Sequence, residues 1–275
     1  MRTSTILSVM IKAAEKAGRS LTRDFGEIEH LQVSVKGPAD FVSAADRRAE
    51  KIVIEELQYA RPKFSILSEE AGFIQGTDEE HRFIIDPLDG TTNFLHGSPL
   101  FAVNIALEFQ EELIAGVTHC PILNETFFAE KGFGCFVMGA DARERRLRVS
   151  SRKQLSDCLV NCNIPFLGRG NLPHFFAEMT QIAPEVSGVR STGSTAIDLA
   201  WVAAGRTDGY WDLHLKPWDI CAGIVQVKEA GGFLSDHAGE QNMMKNCHIV
   251  AGPQNIQKAL QGRLAQAIKK SGVKV

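Results

Sequence analysis

The stretch that decides the fold runs from residue 84 to residue 94 and reads I-I-D-P-L-D-G-T-T-N-F. Its apolar, β-branched start predicts a buried strand. Pro87 cannot donate a ladder hydrogen bond, so we expect the strand to end there. Asp86 and Asp89 would then lie three residues apart on a turn at the carboxyl end of the strand.

The residues after this turn suit a bound anion. Gly90 lets the backbone approach a ligand closely. Thr91, Thr92 and Asn93 are capping residues, and the free N–H groups of a helix start attract a phosphate. Two carboxylates beside a phosphate are compatible only if cations lie between them. A D-P-x-D motif alone is typical of an ordinary Asp-Pro turn, whereas the whole string is far more specific.

Two other acidic positions follow the same logic. The apolar segment 64–67 predicts a short strand that ends at Glu69, and ligands bind at the carboxyl ends of strands in open α/β sheets. If this strand neighbours the one before Asp86, Glu69 converges with Asp86 and Asp89. Asp219 begins a predicted helix over 220–230 and is equally well explained as an ordinary N-cap.

Composition limits the class of protein. The chain has 275 residues, is 44% hydrophobic and carries a net charge of −3 without a long basic block, so we expect no direct nucleic-acid binding. No apolar run reaches about 18 residues, and the start lacks a secretory signal pattern, so we expect no membrane association. Six scattered cysteines without a C-x-x-C pair favour reduced thiols and a cytoplasmic location.

The remaining pattern predicts an α/β protein in two halves. Helical spacing predicts one helix over 4–25 and another after Asp46, which would favour the helix dipole or serve as a supporting acid near the site. Between them, Lys36 precedes a Gly37-Pro38 loop; it is either a solvated lysine or a cation that faces a phosphate. Antiparallel strands are predicted over 101–130, and a second α/β half begins at about residue 158.

Three features together resemble the inositol monophosphatase family: Glu69, the D-P-L-D-G-T-T-N motif at 86–93 and the W-D-I-C-A-G motif at 218–223. The resemblance extends over about residues 6–252. It implies a Mg²⁺-dependent, lithium-sensitive phosphomonoesterase with a five-layered αβαβα sandwich, the fold also of fructose-1,6-bisphosphatase. It also implies a homodimer, and a single domain over 1–275 with halves of approximately 1–150 and 151–275.

The resemblance implies a magnesium centre of two or three ions. Glu69, Asp86 and the backbone carbonyl of Leu88 resemble the ligands of the first ion. Asp86, Asp89 and Asp219 resemble the ligands of the second, and Glu69 would also help to hold a weaker third. The first ion would activate the attacking water and the second would stabilise the departing alkoxide.

The other family positions implied here are catalytic or contact the substrate. Catalytic roles fall on Glu69, on the Thr91 hydroxyl and on Asp46 behind it, which together would orient the water. The substrate contacts implied are the N–H groups of Gly90 and Thr91 for the phosphate, Lys36 on a mobile loop, and Gly193, Ser194, Thr195 and Asp212 for the alcohol.

The sequence departs from the family pattern at the alcohol end. Asp212 stands where many inositol-specific members have Glu, and Thr195 stands where Ala is common. Both changes leave the metal chemistry intact and leave the identity of the alcohol open.

These motifs indicate hydrolysis of a small phosphomonoester, with inositol 1-phosphate as the first candidate. The alternatives on the same core are fructose-1,6-bisphosphatase, histidinol-phosphatase and 3′-phosphoadenosine nucleotide phosphatase. An alternative of another class is a regulatory protein that acts in transcription through RNA polymerase. A serine hydrolase and a P-loop kinase are disfavoured because neither G-x-S-x-G nor G-x-x-x-x-G-K-[ST] is present.

Overall fold

The structure is a computed structural model that describes residues 4–27, 33–37 and 40–271. Its helices and strands are mixed along the described chain, and the described stretch 102–146 contains strands without an α-helix, in line with the antiparallel strands predicted over 101–130. In chain order the helices are α1 (Thr5–Phe25), α2 (Ala44–Ala60), α3 (Thr91–Leu95), α4 (Leu172–Ile182), α5 (Thr195–Ala203), α6 (Pro217–Glu229), α7 (Met243–Asn246) and α8 (Gln254–Ser271).

The strands of the first half are more numerous than those of the second. They are β1 (Val33–Gly37), β2 (Asp40–Ser43), β3 (Phe64–Ser68), β4 (Gly72–Ile74), β5 (Asp78–Asp89), β6 (Ala102–Phe109), β7 (Glu112–Cys120), β8 (Glu125–Glu130), β9 (Gly134–Met138) and β10 (Glu144–Arg146). The second half contains β11 (Leu159–Cys162), β12 (Gly188–Arg190), β13 (Gly209–Asp212), β14 (Phe233–Ser235) and β15 (Ile249–Gly252).

Two sheets build the interior. The larger has eight strands in the order β10-β9-β8-β7-β6-β5-β3-β4, and the smaller has five in the order β12-β11-β13-β15-β14. β3 and β5 are parallel neighbours, so the condition for Glu69 to meet Asp86 is fulfilled. In the smaller sheet β11 lies parallel to both β12 and β13.

Helices cover both sheets and fill the space between them. α1 and α2 pack on the outer face of the large sheet, and α4 and α8 pack on the outer face of the small one. α5 and α6 lie between the sheets and contact both. This arrangement confirms the predicted five-layered αβαβα sandwich; the single domain with two halves stays a prediction.

Helix α1 shows how local sequence fixes an outer layer. The Ser4 side chain accepts a hydrogen bond from the Leu7 N–H at 3.2 Å and so satisfies one of the free donors of the helix start. Met10, Ala17 and Leu21 recur at helical spacing and are fully buried. The predicted helix over 4–25 is therefore confirmed.

The prediction that Pro87 ends its strand is wrong. β5 continues to Asp89, and its pairing with β6 changes register between Asp86, opposite Asn104, and Asp89, opposite Ala102. The extra residue forms a bulge, and a bulge tolerates a proline because the ladder is already interrupted there. It also bends the strand end, so both aspartates are delivered from one short segment.

Helix α6 approaches the large sheet unusually closely. A Cβ atom added at Gly116 on β7 would lie 2.7 Å from the Cα and from the carbonyl oxygen of Ala222 on α6. The helix backbone therefore rests directly on the sheet backbone. This contact fixes the distance between α6 and the large sheet, and with it the position of Asp219 in the first turn of α6.

Three further sequence predictions concern Lys36, the cysteines and membrane-spanning helices. The backbone of Lys36 and Gly37 is part of β1, which pairs with β2. Pro38 and the side chain of Lys36 lie outside the described residues, so the predicted contact of Lys36 with phosphate stays untested. All six cysteines lie in the described ranges and are free, five of them buried. None of the described helices is long and apolar enough to cross a bilayer.

Candidate metal centre and cavity

A cavity of about 730 Å³ opens where the carboxyl ends of β5 and β13 meet the first turn of α6. It lies at the strand ends of both sheets, the place where open α/β sheets bind ligands. Most of the residues that the sequence singled out line it: Glu69, Asp86, Leu88, Asp89, Gly90, Thr91, Gly193, Thr195, Asp212 and Asp219.

Three carboxylates converge in this cavity. One oxygen from each of Asp86, Asp89 and Asp219 lies within 4.8 Å of the other two. Asp86 is 2% exposed and Asp219 6%, so water screens them little. Glu69 lines the same cavity and shares a hydrogen bond with Asp86. The four acids predicted from separate motifs are thus brought together.

The electrostatics of the cluster favour a bound cation. Burial raises the pKa of Asp86 well above its ordinary value, and the neighbouring charges of Glu69, Asp89 and Asp219 raise it further. Burial and the charge of Asp219 raise the pKa of Asp89 to about 7. All the donors are carboxylate oxygens, the ligands that Mg²⁺ prefers. The residues present therefore fit a hard divalent ion.

Cation binding is expected to weaken as the pH falls below 7. With a pKa of about 7, Asp89 is mostly protonated at pH 6, and a cation must then displace that proton. We expect the dissociation constant for Mg²⁺ to rise by about tenfold for each pH unit below 7. Calorimetric titration at pH 6 and pH 8, in buffers of different ionisation enthalpy, would measure both the affinity and the protons released.

The same titration also identifies the result that would contradict this prediction. The number of protons released on binding should fall between pH 6 and pH 8, because Asp89 becomes ionised over this range. An Mg²⁺ affinity that is unchanged between pH 6 and pH 8 would contradict a proton shared within the acidic cluster.

Two groups at the start of α5 donate hydrogen bonds to Asp89. Its Oδ2 accepts a hydrogen bond from the Ala196 N–H at 2.8 Å and a short one from the Ser194 hydroxyl. Ser194 also caps α5 by accepting from the Ile197 N–H at 3.3 Å. Ser194 is buried and is not among the cavity-lining residues, and its hydroxyl helps to position Asp89; its predicted contact with the substrate stays a prediction.

Asp219 serves the helix and faces the cavity at once. It is the third residue of α6, and its Oδ2 accepts from the Lys216 N–H at 2.9 Å, which satisfies a donor at the helix start. The same oxygen accepts a hydrogen bond from Arg169 Nη2, also at 2.9 Å. The N-cap of α6 is Lys216, so Asp219 is not the N-cap that the sequence suggested but the third helical residue, which bonds back to the N-cap; its role as a metal ligand stays a prediction.

The Thr91 hydroxyl is placed between two acceptors. It lies 3.2 Å from Asp46 Oδ1 and 3.1 Å from the Leu88 carbonyl oxygen. Asp46 is 1% exposed and comes from the first turn of α2. The predicted pairing of Thr91 with Asp46 is present, and it points the hydroxyl oxygen at the cavity wall near the acids.

The predicted capping of the short helix α3 is only partly right. The N-cap position is Gly90, whose φ of +92° lies in the left-handed region, and no side chain caps the helix there. Asn93 instead donates from Nδ2 to the carbonyl oxygens of Leu100 at 2.7 Å and Thr192 at 2.8 Å. It ties the Asp89 segment to the loop that carries Gly193.

A hydrogen-bonded chain of side chains forms the other end of the cavity. The Gly193 N–H donates to Asn163 Oδ1 at 3.1 Å, and the Thr195 and Tyr210 hydroxyls lie 3.1 Å apart. The Tyr210 hydroxyl donates to Asp212 Oδ2 at 2.9 Å. Burial raises the pKa of Asp212 to about 7. Asn163 was not predicted; its position just after β11, at a parallel strand end, is the signal that could have revealed it.

Comparisons with known proteins agree with this geometry. The model of the inositol monophosphatase family matches residues 2–272. A protein named inositol-1-monophosphatase from Mesorhizobium japonicum is 53% identical over 270 residues, which is 98% of each chain. A protein named Nus factor SuhB from Pseudomonas aeruginosa is 39% identical over 93% of this chain and 94% of its own.

A solved structure gives the same result for the fold. The extragenic suppressor protein suhB from Bartonella henselae superposes with a TM-score of 0.91 at 52% sequence identity. The likeness covers 95% of this chain and 98% of the other. The overall fold is therefore shared with that protein.

Proposed function

Because the chain belongs to the inositol monophosphatase family, we propose that it hydrolyses a small phosphomonoester, with inositol 1-phosphate as the first candidate, to the free alcohol and phosphate. The protein is an enzyme of the phosphoric monoester hydrolase class. The proposal includes dependence on Mg²⁺, with two or three ions, and direct in-line attack of water without a phosphorylated enzyme.

The observation that carries the proposal is the convergence of Asp86, Asp89 and Asp219 within 4.8 Å. Three buried carboxylates repel one another and would also repel a phosphate dianion. Bound divalent cations remove both repulsions, lower the pKa of water and neutralise the leaving oxygen. The acidic cluster therefore makes chemical sense as a site for a phosphate ester and a metal together.

The chain's own residues divide the remaining tasks. Gly90 and Thr91 line the cavity, and their N–H groups would donate to the phosphate oxygens. Buried Asp46 accepts from the Thr91 hydroxyl, which leaves the hydroxyl oxygen to accept a hydrogen bond from the attacking water; as that water attacks, its proton would pass to Thr91 while the proton of Thr91 passes to Asp46. Asp212, at the other end of the cavity, would accept from a hydroxyl of the substrate.

Replacement of Thr91 by alanine is expected to lower kcat by about a hundredfold. The substitution removes the group that orients the water, and general-base assistance of this kind contributes roughly 10²–10⁴-fold. Thr91→Ser keeps the hydroxyl and should retain most of the rate. Steady-state kinetics at saturating Mg²⁺ would decide; equal kcat values for the alanine variant and the wild type would remove Thr91 from the mechanism.

A panel of phosphate esters tests the function itself. Phosphate release would be measured with inositol 1-phosphate, fructose 1,6-bisphosphate, histidinol phosphate and a 3′-phosphoadenosine nucleotide, each with Mg²⁺ and with a chelator. Magnesium-dependent release from the first compound with the highest kcat/KM supports the proposal. Release that is independent of Mg²⁺, or absent from every ester, would contradict it.

Isotope labelling separates direct attack from a covalent route. Incorporation of one ¹⁸O from labelled water with inversion at phosphorus is expected for a single in-line displacement. Trapping of a phosphorylated side chain would require a different mechanism.

A second candidate is a regulatory protein that binds the transcription machinery. The observation that favours it is the relative named Nus factor SuhB, which matches nearly the whole chain. The two candidates are compatible. Co-purification of RNA polymerase with the tagged protein would support the second role, and its absence at high recovery would argue against it.

Other expectations stay predictions. They are a homodimer, lithium sensitivity, a cytoplasmic location, and the Lys36 contact with phosphate. Sedimentation analysis and inhibition by LiCl would test the first two directly.

A further inference from the structure

Arg169 lines the cavity and, like Asn163, was not predicted from the sequence. It lies in the connection between β11 and α4, on a tight turn closed by hydrogen bonds between the backbones of Phe166 and Arg169 at 2.9 and 3.1 Å. Gly168 and Gly170 flank it with φ values of +83° and +84°, in the left-handed region that favours glycine. This backbone holds Arg169 at the mouth of the cavity.

The side chain of Arg169 is anchored to the acidic cluster. Its Nη2 donates to Asp219 Oδ2 at 2.9 Å, and its Nε donates to the His214 carbonyl oxygen at 3.2 Å. The guanidinium carbon lies 5.8 Å from the centre of the Phe166 ring. The Asp219 side chain is 8% exposed and the Arg169 side chain 38%, so the pair is only partly screened by water.

This contact gives Asp219 a counter-charge within the protein. Burial raises the pKa of Asp219, and the charge of Arg169 opposes that rise. Asp219 is also the carboxylate through which a second divalent ion would be held. A guanidinium and a divalent ion on the same carboxylate repel each other, since water between them is scarce. Occupation by one therefore disfavours the other.

We propose that Arg169 is a positioning residue that neutralises Asp219 while no cation is bound and competes with the second divalent ion for that carboxylate. The inference rests on the proposed function, because Asp219 is a cation ligand only within it. Arg169 would reduce the repulsion among the carboxylates of the cluster while no metal is bound. Its side chain would move away from Asp219 when the ion binds.

The test compares two arginines in the full-length protein. Arg169→Met removes the charge in the cavity. Arg206→Met is the matched control: Arg206 also pairs with a carboxylate, that of Glu125, and lies 5.3 Å from the ring centre of Phe127, but it is not a cavity-lining residue. Arg169→Gln provides a second neutral variant, and Arg169→Lys keeps the charge.

Mg²⁺ binding to metal-stripped protein would be measured by calorimetry, and melting temperatures would be recorded with EDTA and with MgCl₂. Removal of a like charge beside the ion should tighten the weaker Mg²⁺ site by roughly tenfold in Arg169→Met and Arg169→Gln. The melting temperature with EDTA should fall in these variants, and the gain on adding Mg²⁺ should grow. Arg169→Lys and Arg206→Met should bind Mg²⁺ as the wild type does.

Two results would contradict this inference, and they can be told apart. Unchanged or weaker Mg²⁺ binding in both neutral variants, with normal binding by the wild type, would overturn the role of Arg169 and leave the proposed function intact. Absence of Mg²⁺ binding by the wild type would overturn the proposed function, and this inference with it.

Discussion

Replacement of Asp89 by asparagine is expected to lower kcat by about a thousandfold and to leave the fold intact. Asparagine has nearly the same shape, and its carbonyl oxygen can still accept from the Ser194 hydroxyl and the Ala196 N–H. What it loses is the negative charge that a divalent ion requires. The loss would therefore fall on metal-dependent turnover rather than on packing.

The thermal stability of the Asp89→Asn variant provides a second, independent test of the role of Asp89. Burial raises the pKa of Asp89 to about 7, so its charge at pH 8 destabilises the metal-free fold. The neutral asparagine should raise the melting temperature measured with EDTA at pH 8 and reduce the gain on adding Mg²⁺. A variant that is merely misfolded would melt at a lower temperature under both conditions.

A matched control is available at Asp141, whose carboxylate forms an exposed ion pair with Arg145 away from the cavity. Asp141→Asn changes the net charge by the same amount and should alter neither kcat nor Mg²⁺ binding. Near-normal turnover by Asp89→Asn, measured beside this control, would remove Asp89 from the metal centre.

Replacement of Gly116 by alanine is expected to destabilise the protein by about 1–3 kcal/mol, the range for overpacking a dense interior. The new methyl group would lie 2.7 Å from backbone atoms of Ala222, and neither backbone can rotate away. Helix α6 must therefore shift outward. Because α6 carries Asp219, we expect Mg²⁺ affinity to fall together with stability. Denaturant unfolding and calorimetric titration would measure the two effects.

Gly262 on α8 is the control for this substitution. A Cβ atom added there meets nothing within 4 Å. Gly262→Ala should stabilise the protein by about 0.4–1 kcal/mol, because alanine loses less conformational freedom on folding. The same chemical change thus has opposite signs at two positions. Equal stability of the Gly116 and Gly262 variants would contradict the close contact between α6 and β7.

The convergence of the acidic residues was largely predictable because they follow or begin marked elements: Asp86 and Asp89 share the end of β5, and Asp219 lies in the first turn of α6. Glu69 follows a short apolar segment, Asp86 follows another, and parallel neighbouring strands present their carboxyl ends at the same edge of a sheet. Asp219 is marked by the start of a helix. Local pattern therefore placed Glu69 and Asp86 at neighbouring strand ends, whereas the family resemblance was needed to add Asp219 to the centre.

Other features depended on contacts that no local pattern encodes. Pro87 suggested a strand end, but pairing with β6 across a bulge extended the strand. The hydrogen bond from the Ser194 hydroxyl to Asp89 joins residues that are 105 positions apart and could not be read from either local motif. Arg169 faces Asp219 only because the Phe166 turn folds over the cavity. A basic residue between two glycines was visible in the sequence, but its partner was not.

The geometry of the acidic cluster also bears on how long the protein survives in a cell. Asp86 and Asp89 belong to the large sheet and Asp219 to a helix of the middle layer, so an ion held by all three cross-links segments that are remote in the chain. A ligand that binds only the folded state, at 100 times its dissociation constant, adds about 2.7 kcal/mol to stability. If this ion is the proposed Mg²⁺, its depletion would expose the chain to proteolysis as well as stop the proposed reaction, and the abundance of the protein would follow the supply of the ion.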